Sequence, residues 1–148
     1  MIVRTLTSSD FAAFAALQAS FCAYAGEAPQ PEDEARRLFD AALDPDKNLH
    51  FIVAEKDGTL VGMLSLTIGQ SSYKISPFAW CDDFFVSEEY RRLGVGRALM
   101  AQAQLVATNS GCSNILVGVG NQERQSLAFY ARRGFVDMQC RLLTLPLA

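Results

Sequence analysis

Apolar residues recur at helical spacing in the first third of the chain and then give way to strand-like runs. Phe11, Phe14, Ala15, Leu17, Phe21 and Cys22 mark one face of a helix, with Ser9 and Asp10 just ahead to cap its first amides. Ile2 to Leu6 precedes it as a short strand. Gly26 to Pro31 breaks the helical pattern, and Glu32, Asp33 and Glu34 open a second helix, where acid offsets the positive end of the dipole. Leu38, Phe39 and Leu43 predict its buried face.

His50 to Glu55 and Leu60 to Ile68 read as strands around Lys56-Asp57-Gly58-Thr59, whose Asp-Gly pair is a strong hairpin signal. After a polar loop from Ser71 to Pro77, Phe78 to Val86 is apolar except for Asp82 and Asp83, the pattern of a central strand with a functional interruption. The spacing predicts a helix from about Gly94 to Asn109, ended by Gly111, and a β-branched strand over Ile115 to Val119. A last helix over Arg124 to Arg133 stops at Gly134, and Phe135 to Leu145 supplies one or two closing strands. Alternating strands and helices with hairpins at both ends predict an α/β (α+β) chain, a mixed sheet flanked by helices.

With 148 residues, half of them hydrophobic, the chain can bury one core and is too short for two ordinary domains. Its apolar runs are interrupted well before the span a membrane helix needs, and its start lacks the basic, apolar, small-residue order of a signal peptide, so a cytoplasmic protein is expected. A formal charge of −3 argues against general nucleic-acid binding and suits a cationic substrate. Cys22, Cys81, Cys112 and Cys140 are scattered without a CxxC pair, and His50 is the only histidine, so structural zinc is not expected. Two disulfides are conceivable, but apolar neighbours such as Phe21 and Trp80 favour buried free thiols.

The densest functional signal is Tyr90-Arg91-Arg92-Leu93-Gly94-Val95-Gly96-Arg97, between a strand-like run and a helical one. Glycines let a backbone approach a ligand, and the first helical amides have no internal acceptors, so the stretch suits phosphate or serves only as a tight connection. The dinucleotide fingerprint fails because Leu99 stands where a third glycine is needed. The nucleotide-hydrolase loop fails because no Gly-Lys-Ser/Thr triplet exists.

Arg91, Gly94 and Gly96 do match the arginine-or-glutamine, glycine, glycine-or-alanine signature of the GCN5-related N-acetyltransferase (GNAT) superfamily, which this chain resembles. Ile2-Val3-Arg4 followed by Asp10 is similar to the family's first strand and helix entry, and Phe129-Tyr130-Ala131-Arg132-Arg133-Gly134-Phe135 to its tyrosine-to-Gly-Phe element. The resemblance covers almost the whole chain and is most specific from Trp80 to Phe135. It implies a single GNAT-type domain over residues 1–148 with a mixed, mostly antiparallel central sheet, using acetyl-CoA as cosubstrate and no metal. It further implies that Arg91, Arg92, Leu93, Gly94, Val95, Gly96 and Arg97 hold the CoA pyrophosphate, largely through backbone amides. The main chain of Phe84, Phe85 and Val86 would receive the pantetheine arm, their side chains being more readily core. Tyr130 would be the general acid for the departing thiolate, against the plainer role of a core tyrosine. The family often has asparagine seven residues before that tyrosine, where Glu123 stands here; Asn121 is two residues early, and Ser126 is a further cofactor contact.

The resemblance implies direct transfer in a ternary complex, and no convincing Ser-His-Asp or Cys-His set is present. Such transfer needs a neutral amine and a route for its proton. Asp82 and Asp83 are the base candidates, since a carboxylate in a buried strand is costly unless used or paired. Alternation puts Asp82 with Trp80, Phe84 and Val86, and Asp83 with Cys81 and Phe85, so one serves as base and the other is structural, with the assignment open. A similar acidic pair occurs in the family's polyamine acetyltransferases, which favours a small cationic amine as acceptor. Phe11 to Glu34 and Gln70 to Pro77 would shape its access. Protein amino termini or lysines are the alternative acceptors, and a non-catalytic acyl-CoA sensor is the alternative of another class. His50 reads as a satisfied strand histidine. No membrane or nucleic-acid partner is expected, and a homodimer stays open because dimers are frequent in the family.

Overall fold

Asp57 and Gly58 both take positive φ, 51° and 79°, the geometry of a hairpin turn that matches strand twist. Around them β2 (Leu49–Lys56) and β3 (Thr59–Gln70) pair antiparallel. The structure, a computed structural model, describes residues 1–148, which form two compact units, Met1–Leu116 and Val117–Ala148. In the first, β1 (Ile2–Thr5) pairs antiparallel with β2, and β4 (Pro77–Val86) antiparallel with β3. β5 (Ile115–Val117) completes a five-stranded sheet in the order β1-β2-β3-β4-β5. Ser113 N–H donates to Pro77 O and Ala79 N–H to Asn114 O, both at 3.0 Å. These bonds advance in the same sense along the two segments, so the sheet is mixed.

β3 is buried without a break from Leu60 to Leu66, the signature of a strand covered on both faces. Phe51, Val53 and Met63 join Phe14 and Leu17 of α1 (Phe11–Tyr24) and Phe39 of α2 (Glu32–Leu43) in one cluster, with Phe85 from β4. α2 buries Ala35 and Phe39 fully, whereas Leu43, counted in its inward face from sequence, is 36% exposed. Leu43 closes the helix, where no next turn covers it. α3 (Val95–Asn109) turns Val95, Leu99, Met100, Ala103 and Ala107 inward. A Cβ at Gly62 would meet Leu99 Cδ1, Val95 Cγ1 and Phe85 O, each at 3.1 Å, so glycine on β3 is what lets α3 come this close.

Ion pairs tie the first strand to its neighbours. The Arg4 guanidinium reaches Asp10 Oδ2 at 2.7 Å and Oδ1 at 2.9 Å, and Glu55 Oε2 at 2.7 Å, while Thr7 N–H donates to Asp10 Oδ2 at 2.7 Å. The Arg4 hydrogen bonds hold the Asp10 carboxyl well below the ordinary range, against the opposing effect of burial.

The second unit contains α4 (Arg124–Ala131) and a left-handed Gly134 at φ 84°. Its remainder corrects two expectations. Residues 135–148 form neither strand nor helix, because alternation prepares a strand and only a hydrogen-bonding neighbour makes one. Cys140 is exposed there, while Cys22 and Cys81 are buried and Cys112 is intermediate; all four are free. β5 also ends at Val117, two residues short of the apolar run.

Candidate active site

The two carboxylates of β4 sit at an interruption of the ladder. Leu64 pairs with Phe84 and Leu66 with Cys81, so Asp82 and Asp83 together oppose the single residue Ser65, a β-bulge. Buried Ser65 accepts the Asp83 N–H on its Oγ at 3.0 Å. The two acids therefore differ. Asp82 is exposed, and Trp80 Nε1–H donates to its Oδ1 at 3.0 Å. Asp83 is half-buried, and burial first, then the like charge of Asp82, raises its carboxyl above the ordinary range. The same surroundings push the buried Cys81 thiol up to about 12, which keeps it protonated and poorly nucleophilic.

β4 then runs into the glycine turn. Phe85 is 5% exposed and meets Phe21 and Tyr24 of α1 with ring centroids 5.5 and 5.8 Å away. Phe84 and Val86 are half-buried. After a short 3-10 turn at Glu88–Tyr90, Arg91 folds back: its Nε–H donates to Val86 O at 2.9 Å and its guanidinium lies 4.5 Å from the Tyr24 ring centre. Its charge thus braces the end of β4 against α1. Arg92 and Gly94 are left-handed, at φ 61° and 86°, and Leu93 is 63% exposed. Val95 opens α3 and is buried, which anchors the turn, while Arg97 is exposed. The first helical bond is Ala98 N–H to Gly94 O at 3.0 Å, so the amides of Val95, Gly96 and Arg97 precede it, and no side chain caps them. Such a helix start, flanked by exposed Arg92 and Arg97, is suited to an anion.

Three candidate residues belong to the second unit. Ser126 and Tyr130 lie one turn apart on α4 and so share a face. Tyr130 is 8% exposed and packs edge-on against Phe129 and Phe135, with centroids 5.5 and 5.1 Å away. Asn121 is exposed in the turn before the helix, where Glu123 N–H donates to Gly120 O. His50 stands on β2 opposite Leu66 and is half-buried. No group of three or more His, Cys, Asp or Glu side chains is placed to hold a metal ion, and no helix is long and apolar enough to cross a membrane. A cleft of about 470 Å³ opens between α1 and α2, lined by Phe11, Ala15, Gln18, Pro29 and Glu32 among others and by no residue of β4 or the glycine turn.

Sequence reasoning passed over Ser65, Gly62 and Tyr24. A serine and a glycine inside the apolar Leu60 to Ile68 run were visible irregularities; nothing in the sequence pointed to Tyr24 as the stacking partner of Arg91.

Residues 13–135 match the model of the Acetyltransferase (GNAT) family. Aminoglycoside N(6')-acetyltransferase type 1 of Stenotrophomonas maltophilia is 24% identical over 140 residues, spanning 93% of this chain and 87% of that protein. Among solved structures, a probable acetyltransferase superposes with a TM-score of 0.88 at 22% identity, covering 100% of this chain and 99% of the other. An aminoglycoside acetyltransferase from an uncultured soil metagenomic sample, solved with sisomicin, gives 0.85 at 20% identity over 99% of this chain and 96% of its own.

Proposed function

Because the chain belongs to the acetyltransferase (GNAT) family, we propose that it acetylates the primary amine of a small cationic molecule by direct attack within a ternary complex. It is an acetyl-CoA-dependent N-acetyltransferase; acceptor, route and residue roles are the proposal. The observation that carries it is the unequal acidic pair on β4, the strand that leads into an uncapped, basic helix start. The amides of Val95, Gly96 and Arg97, with the exposed Arg92 and Arg97, fit a pyrophosphate, and the backbone of Phe84 to Val86 on the same strand fits the pantetheine arm. Bound there, acetyl-CoA supplies an activated acyl carbon.

The acids divide the remaining work. Asp82, exposed and oriented by Trp80, draws in an ammonium group. Asp83, its proton affinity raised by burial and by Asp82, takes the first proton and so frees the amine's lone pair; the nitrogen loses its second proton to solvent as its bond to the acyl carbon forms and the C–S bond breaks. Tyr130 returns a proton to the departing thiolate, with Asn121 and Ser126 as further cofactor contacts. The cationic acceptor is supported by the exposed Asp82 and by likeness to proteins named for aminoglycoside acetylation.

The test incubates purified protein with acetyl-CoA and a panel of amino sugars, polyamines, amino acids and lysine peptides while following thiol release. Turnover with the amino sugars or polyamines is the expected result. Turnover restricted to peptides overturns the acceptor class, and CoA binding without any turnover, the behaviour of a sensor, overturns the catalytic reading.

A further inference from the structure

Trp80 orients Asp82 through its indole edge, which leaves its ring faces without a role. Met63, Ser65 and Thr67 alternate on β3 onto one face of the sheet, and Met63 marks that face as the one beneath Phe14 and Leu17 of α1 and Phe39 of α2. The helical cover runs out along it: Met63 and Ser65 are buried, and Thr67 is exposed. Trp80 is the register partner of Thr67 and so lies on the same open face, with Phe78 one alternation before it and Asp82 one after. A Cβ on Gly69 would come within 2.7 Å of Phe78 Cζ, so the Phe78 ring lies over β3 there. Beyond the helices the sheet thus carries a floor of Phe78 and Trp80 that ends at an exposed carboxylate.

The indole is half-buried and held by its edge, Nε1–H to Asp82 Oδ1 at 3.0 Å. The ring and cation pairs of the first unit gather at Phe11, Phe39, Phe85, Tyr24 and Tyr90, and Trp80 is in none of them. A tryptophan with its edge fixed and its face unpaired is a platform, because the electron-rich ring face attracts the electropositive C–H groups of a cationic ligand and gains from being covered. Asp82 keeps its second oxygen for an ammonium, and exposed Thr67 sets a hydroxyl across from the ring. We propose that Trp80 selects the acceptor: its indole face receives the body of a ring-shaped, hydroxylated amine, an amino sugar, whose ammonium pairs with Asp82.

An amino sugar suits this surface better than an open-chain polyamine. Its rigid ring lays one C–H face on the indole and gives up little rotamer freedom, whereas a methylene chain loses entropy on being pressed against a plane. Its hydroxyls, directed outward at the rim, find Thr67 and the carboxylate, which methylenes cannot use. The assignment rests on the reading of Asp82 as receiver of the acceptor's ammonium. Binding at Trp80 and transfer of the acetyl group are separately measurable, so either can fail without the other.

Trp80 is the single tryptophan of the chain, so its fluorescence reports this site without a label. Neamine and spermine, a cyclic and a linear amine carrying equal numbers of amino groups, are titrated into the wild-type protein and followed by emission and calorimetry. Neamine is expected to shift the emission and to bind about tenfold more tightly than spermine, within what a cationic ligand gains on an indole face. Trp80→Ala, its fold checked by circular dichroism, should erase that preference, and Trp80→Phe, which keeps a ring face and loses the N–H, should retain part of it. In thiol release the Trp80→Ala loss should appear in the KM for neamine more than in kcat. Emission that does not respond to neamine, equal or tighter binding of spermine, or a preference that survives Trp80→Ala overturns the platform; if Trp80→Ala does not fold, the two wild-type titrations decide. Preferential neamine binding without thiol release supports the platform and overturns the catalytic reading, and turnover of both amines with no neamine preference does the reverse.

Discussion

Asp82 and Asp83 are adjacent in sequence and unlike in chemistry, because the bulge leaves one at the surface and the other half-buried. Raising the folded proton affinity of Asp83 means that it is protonated, and useless as a base, up to a higher pH than an ordinary carboxylate. The rate should therefore rise with pH along a limb above the usual carboxylate range. Asp82→Asn removes the like charge and leaves burial alone, so that limb should move to lower pH, read from kcat/KM profiles. An unmoved limb would show that Asp83 is not the titrating base. At Tyr130 the ring is packed against Phe129 and Phe135, so Tyr130→Phe keeps the packing and removes only the hydroxyl. Steady-state kinetics should show kcat falling by roughly 10²-fold or more, with affinity for acetyl-CoA little changed. Both candidates were legible as residue types. Their difference was not, since burial and register depend on Ser65, 18 residues away in the chain.

Secondary-structure elements were the most legible part. The Asp57-Gly58 hairpin, the start of α2 at Glu32 and the helix after Gly94 follow from local punctuation, and the structure places each within a residue or two of its signal. How the elements touch was hidden, and two contacts make it measurable. Gly62 lets α3 approach β3, so Gly62→Val should force side chains and Phe85 O apart and cost about 1 to 3 kcal/mol in denaturant unfolding. Arg4, Asp10 and Glu55 join β1, the entry to α1, and β2. With Arg4 still partly open to solvent, Asp10→Asn should cost about 1 to 2 kcal/mol, between the values for exposed and buried pairs. Since the Asp10 carboxyl is held below its unfolded value, its contribution is present above about pH 4 and is lost as pH falls through the depressed folded value. The gap between wild type and Asp10→Asn should accordingly close in acid; a constant gap would assign the effect to packing.

The sequence alone determined the family signature at Arg91, Gly94 and Gly96, the order of strands and helices up to β5, and the presence of acid in a buried strand, because turn chemistry, periodicity and the cost of burying charge act over a few residues. Tertiary structure alone decided that Asp83 rather than Asp82 is shielded, that Arg91 stacks on Tyr24, and that the apolar alternation after Phe135 forms no strand. Those outcomes depend on which distant segment, or which other molecule, supplies the opposing hydrogen bonds and surface, and no local pattern carries that information.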